Sequence, residues 1–111
     1  MREAIEITTE NFDEHIIDDG SPILVEFWQH GDPACRIAEP HVQQFLEAHP
    51  DLRFGRIEII EQLVITGTFQ VRAVPQFVLF KNGQAVDSII GAAPVETFED
   101  LIAGRRKGTT L

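Results

Sequence analysis

This chain of 111 residues has no second cysteine. Cys35 stands alone, so no intrachain disulfide, disulfide scaffold or cysteine-only metal site is possible. Bases are scarce too: nine Lys and Arg face eighteen Asp and Glu, a formal charge of −9. Three of the nine, Arg105, Arg106 and Lys107, crowd into the last seven residues. Residues 1–104 are left with six bases against eighteen acids and repel phosphate, which argues against nucleic acid as a partner. A basic or apolar polypeptide segment fits that charge better. No apolar run approaches the roughly 20 residues of a membrane helix, so no membrane partner is expected. Met1-Arg2-Glu3-Ala4-Ile5-Glu6 lacks the apolar core of a secretory signal, and a cytoplasmic location is expected. Repeats, low-complexity tracts and Pro/Gly/Ser linkers are missing as well. The length therefore predicts one domain over residues 1–104, then a basic tail over 105–111.

Apolar residues make up 43% and charged residues 24%, an ordinary globular composition. Ala4 to Ile7 alternates as a short strand. Thr8-Thr9 can cap a helix from about Glu10 to Ile17, with Phe12, Ile16 and Ile17 on its apolar face. Ile23 to Trp28 is a run suited to a strand buried on both faces. Asp32-Pro33 opens the longest helix, Asp as N-cap and Pro as first residue. It should reach about Ala48, kinked at Pro40, with Cys35, Ile37, Ala38, Val42, Phe45 and Leu46 inward. A third strand is expected over Phe54 to Ile60 and a weak helix over Glu61 to Phe69. Asn82-Gly83 between two apolar runs signals a hairpin. Pro94 starts a last helix, ended by Gly104, with Val95, Phe98, Leu101 and Ile102 inward. The order predicts an α/β fold: a mixed sheet with helices on both faces.

From Ile7 to about Ala103 this order resembles thioredoxin. Phe12, Phe27-Trp28, Cys35, Pro40, Val74-Pro75 and Phe80-Lys81-Asn82-Gly83 stand at thioredoxin-like spacing. The resemblance implies the thioredoxin fold and a cis bond before Pro75. It also implies a rim of Trp28, Val74-Pro75 and Gly91-Ala92. Where thioredoxins carry Trp-Cys-Gly-Pro-Cys, this chain has Gly31-Asp32-Pro33-Ala34-Cys35. Asp32 takes the place of the attacking cysteine and Gly31 that of the second tryptophan. Glu26 stands where the family keeps a buried aspartate.

Disulfide exchange needs an exposed thiolate to attack and a second thiol to resolve the mixed disulfide. Asp32 cannot attack sulfur, and Cys35, one turn into the helix near a carboxylate, should have a raised pKa. Dithiol reductase chemistry is therefore excluded. Cys35 is either a small buried hydrophobe or a monothiol redox residue. Asp32 is a helix cap and, in the resemblance, part of the rim. Glu26 in an apolar strand must be hydrogen-bonded or protonated, or must reach water past the helix end. Trp28 either anchors a ligand or braces its loop. The spacing of His30, Asp32, Cys35 and His41 fits no usual zinc pattern, and His15, His41 and His49 read as surface residues.

In the family, the residue before the cis-proline offers its main chain to an extended peptide, a form of strand addition. The resemblance thus implies a redox-inactive protein that binds polypeptide segments, as a monomer or weak dimer, with no cofactor and no metal. Thioredoxin-domain holdases and the accessory proteins of hydrogenase maturation are similar in kind, and Gly31-Asp32-Pro33 resembles the latter. The alternative is a monothiol oxidoreductase acting through Cys35 in cell redox homeostasis.

Overall fold

The computed structural model describes residues 3–106. It contains β1 (Ile5–Glu6), a π-helical turn (Asp13–Asp18), β2 (Ile23–Trp28), α1 (Pro33–Glu47), β3 (Arg53–Glu58) and α2 (Leu63–Thr68). Then follow β4 (Gln76–Lys81), β5 (Gln84–Ile90) and α3 (Val95–Ile102). The sheet order is β1-β3-β2-β4-β5. Crossovers make β1, β3 and β2 parallel, whereas β4 and β5 join antiparallel to β2 and to each other.

Strand alternation divides the core in two. Leu24, Phe54, Phe77, Leu79 and Ile89 face α1 and α3, meeting Ala38, Val42, Phe45, Phe98 and Leu101. Ile23, Val25, Phe27, Ile57, Val78 and Phe80 face the other way, onto Ile16 of the π-helical turn and Ile65 of α2. This is the predicted α/β sandwich of a mixed sheet between helices. Burial of β2 on both faces explains its apolar run, interrupted only by Glu26. The β4–β5 turn has φ of 53° at Asn82 and 76° at Gly83, the backbone that an Asn-Gly hairpin supplies. Its tip docks on the loop before β2, where the Asn82 N–H donates to the Gly20 carbonyl at 2.9 Å.

Several local expectations need correction. Thr8 and Asn11 bond each other reciprocally, each side-chain oxygen accepting from the other's amide. Helical structure therefore starts at Asp13, not Glu10, and only as a π turn. Ile16 is buried, but Ile17 is 48% exposed. In α1 the inward stripe is Cys35, Ala38, Val42, Phe45 and Leu46. Ile37 lies off that stripe at 61% exposure, because two residues past Cys35 is more than half a turn. Helix α1 is continuous over 15 residues with Pro40 inside it, close to the expected span from Asp32-Pro33 to about Ala48. His49 is no free surface residue: its Nε2 meets the Glu99 carboxylate at 2.8 Å and ties the end of α1 to α3.

Arg105 pairs with Asp100 of α3 and Arg106 with Asp87 of β5, so these two residues of the expected tail lie against the fold. Lys107 and the rest of the expected basic tail lie outside the described residues. Among the described residues no helix is long and apolar enough to cross a membrane.

Candidate functional site

The candidate site lies at one end of the sheet, where β2 hands over to α1. Gly31, with φ of 77°, turns the connecting loop. Asp32 then caps α1: its Oδ1 accepts the Cys35 N–H at 3.0 Å, and Pro33 takes the first helical position. Such a cap stabilises a helix by about 1 kcal/mol. The carboxylate also meets the positive end of the helix. One turn in, Cys35 is turned toward the sheet and only 5% exposed. Burial pushes its thiol above the ordinary range. A Gln29 backbone hydrogen bond pulls the other way, and the Asp32 and Glu26 carboxylates add to the rise. A narrow pocket of about 120 Å³, lined in part by Gly31, Asp32, Cys35, Arg36 and Glu39, lies outside it.

The thiol is therefore poorly placed to act. Native protein is expected to react with an aromatic disulfide reagent far more slowly than denatured protein near neutral pH, since burial bars access to Cys35 and a raised pKa lowers its thiolate fraction. Equal rates in both states would show an accessible, reactive Cys35.

Beneath the loop lies a charged pair that the sequence did not announce. Leu24 and Glu26 share the α1 side of β2, and Arg56 of β3 stands in register with Glu26. Arg56 Nε donates to Glu26 Oε1 at 3.1 Å. Burial pushes the Glu26 carboxyl up to about 7, with Arg56 opposing the rise. The same guanidinium covers the Trp28 ring, 3.9 Å from its centroid, and His30 meets that ring edge-on at 4.3 Å. Trp28 thus braces the loop against β3.

Glu58, like Arg56, was not singled out from the sequence. Its carboxylate accepts the backbone amides of His30, Ile60 and Glu61 at 3.0, 2.6 and 3.1 Å. Burial raises its pKa, but those three amides outweigh it and hold the carboxyl below its usual range. Both missed residues sit at alternate positions of β3, Arg56 and Glu58, on the same side as Phe54. A base inside the Phe54–Ile57 stretch of β3 was the signal for Arg56, but its partner depends on the β2–β3 register.

Across the sheet, the Val74–Pro75 peptide is cis. The β2–β4 register pairs Phe27 with Gln76, and one step further sets Pro75 across from Trp28. On the other side the Gly91 N–H donates to the Pro75 carbonyl at 2.9 Å. The end of β2, the start of β4 and the end of β5 therefore meet, bringing Trp28, Val74, Pro75 and Gly91 to the end of the sheet where α1 begins. Pro75 is buried, Val74 and Gly91 are half-buried, and Ala92 is exposed. Among the described residues no three His, Cys, Asp or Glu side chains converge as metal ligands.

Known proteins are similar to this chain over most of its length. The chain is 34% identical over 98 residues to a thioredoxin of Alicyclobacillus acidocaldarius, covering 87% of this chain and 92% of that one. It is 26% identical over 103 residues to thioredoxin 1 of Synechococcus elongatus, covering 92% and 96%. A solved structure from work on the thiol-resolving mechanism of a yeast mitochondrial 1-Cys peroxiredoxin via glutathione/thioredoxin systems superposes with a TM-score of 0.81. It is 26% identical, and the match covers 91% of this chain and 95% of that one. Residues 3–104 match the family model described as Thioredoxin, and with that match over nearly all of its length the chain belongs to the thioredoxin family, as a member with a single cysteine.

Proposed function

We propose that this protein binds extended polypeptide segments without redox turnover, as a cytoplasmic holdase or an assembly adaptor of the kind used in hydrogenase maturation. The observation that carries the reading is the pairing of two features at one sheet end. The Val74–Pro75 turn and its Gly91 neighbour are present, while the Cys35 thiol in α1 is buried and the attacking position holds Asp32. In this reading Val74 offers main-chain bonds to a strand, and Trp28, Asp32, Pro75, Gly91 and Ala92 form the rim. The exposed side chain of Ile90, next to Gly91, supplies apolar surface there. The buried, raised-pKa thiol speaks against monothiol exchange.

Insulin treated with dithiothreitol separates the possibilities in one measurement. Reduced B chain precipitates, so a holdase delays the turbidity and a reductase hastens it. The expected result is a delay that grows with protein concentration and survives in Cys35→Ser. Ala92→Glu, which plants a charge on the rim, should lose most of the delay. An earlier onset that disappears in Cys35→Ser would overturn the proposal.

A further inference from the structure

Strand β2 lies between β4, which carries Pro75, and β3. On the β3 side of Trp28 opens a cleft of about 500 Å³, the size of a small-ligand site. Strand register builds its walls. Glu6, Arg56 and Glu26 form one row across β1, β3 and β2, and two residues on Trp28 stands beside Glu58. The Arg56 guanidinium leans to the β2 end of that row, pairing with Glu26 at 3.1 Å and covering Trp28. Glu6, at the β1 end, has no ion pair among the described residues. Glu61 meets only His30, at 4.0 Å, and both side chains are well exposed. Glu58 is spent on three amides, yet they hold its carboxyl below the usual range, so its charge stays. Three carboxylates thus line the cleft, and Arg56, the arginine in its wall, is already answered by Glu26.

The chain around the cleft is apolar. Glu61 and Gln62, which line it, are bracketed in sequence by Ile60 and Leu63, and Val64 follows. Those three expose 56%, 66% and 67% of their surface. An acidic cleft attracts a base and repels an acid. A small free cation would leave the apolar side chains beside it uncovered, whereas an apolar polypeptide segment that carries a base matches both parts.

We propose that this cleft receives a lysine or arginine side chain of a bound polypeptide, whose apolar residues cover Ile60, Leu63 and Val64. The inference rests on the segment binding proposed above and names the clients favoured: apolar stretches interrupted by a base. Trp28 joins the two subsites. Pro75 stands across from it on β4, and the cleft begins on its β3 side. A segment that runs from the Val74 rim over Trp28 reaches the cleft next. The rim then supplies main-chain bonds common to any client, and the cleft supplies the choice among them.

Fluorescence anisotropy tests it with three labelled apolar peptides, identical except for lysine, norleucine or glutamate at one central position. The parent protein should bind the lysine peptide about fivefold tighter than the norleucine peptide, and the glutamate peptide weakest. Raised salt should shrink that difference. In Glu6→Gln combined with Glu61→Gln, the lysine preference should fall to within about twofold while the norleucine affinity stays as it was. Both side chains are exposed and the amides held by Glu58 are untouched, so the double variant should keep its fold. Three equal affinities, or a lysine preference that survives the double variant, overturn the inference and leave the rim standing. Spermidine that competes as strongly as the lysine peptide would show a site for free cations and overturn the polypeptide occupant. Absence of binding by all three peptides overturns the proposed function and this inference together.

Discussion

Asp32→Cys is expected to turn this protein into a working dithiol. The substitution places a second thiol at the cap of α1, three residues before Cys35. It would inherit the Cys35 N–H that Asp32 Oδ1 now accepts at 3.0 Å, together with the positive end of the helix. The thiol at 32 should therefore be the more acidic and the attacking one, with Cys35 resolving. Oxidised glutathione can close the pair, taking up two electrons and two protons as the S–S bond forms. Glu26, its carboxyl near 7, lies beneath with a proton affinity suited to exchange at neutral pH. Loss of the cap should cost about 1 kcal/mol, too little to unfold a domain of this size. The variant should catalyse insulin reduction by dithiothreitol, where the parent gives none above the uncatalysed rate. Turnover should stay below that of ordinary thioredoxins, since Gly31 leaves the rim one tryptophan short and Pro33-Ala34 replaces Gly-Pro. Failure of the two thiols to pair under mild oxidation would mean that Cys35 does not occupy the resolving position.

That experiment concerns the part of the molecule most legible in sequence. Asp32-Pro33 is a local signal, read by one helix end, and the cap appears at the expected atom. Asn82-Gly83 is equally local, because its left-handed backbone needs those residue types. The doubly buried β2 announced itself by an apolar run interrupted only by Glu26. Signals that depend on long-range register were silent. Glu26 was visible as a buried acid, yet its partner, thirty residues away, follows only from how α1 crosses back to β3. Ile37 and Ile17 failed for another reason: hydrophobicity alone put them in the core, whereas helical phase puts Ile37 outside and Ile17 sits on a turn too short to bury a full face. Arg106, placed in a basic tail by its charged neighbours, proves to be spent on β5. Charge runs describe composition, and only the fold says which charges are already paired.

Glu26→Gln should stabilise the protein by up to about 3 kcal/mol at about pH 8, while changing little at about pH 4. The sign follows from the raised carboxyl. In the folded protein Glu26 titrates near 7 and in the unfolded chain near 4.5. Between those values the native state holds a proton that the unfolded state has released, so stability falls as pH rises through the window. Below it both states are protonated and burial carries no charge penalty. Above it the full cost of a buried carboxylate is present, reduced but not removed by Arg56 at 3.1 Å. Glutamine has no charge to bury and keeps an Oε1 that can accept from Arg56 Nε. Its gain should therefore open between about pH 4.5 and 7 and then level off. Glu26→Ala should not share that gain, because it leaves Arg56 without a partner over the Trp28 ring and opens a cavity beside α1. Urea melts of the parent and both variants across that range decide the matter. A Glu26→Gln advantage that is the same at both ends would place the carboxyl in ordinary solvent and remove the buried pair from any account of this site.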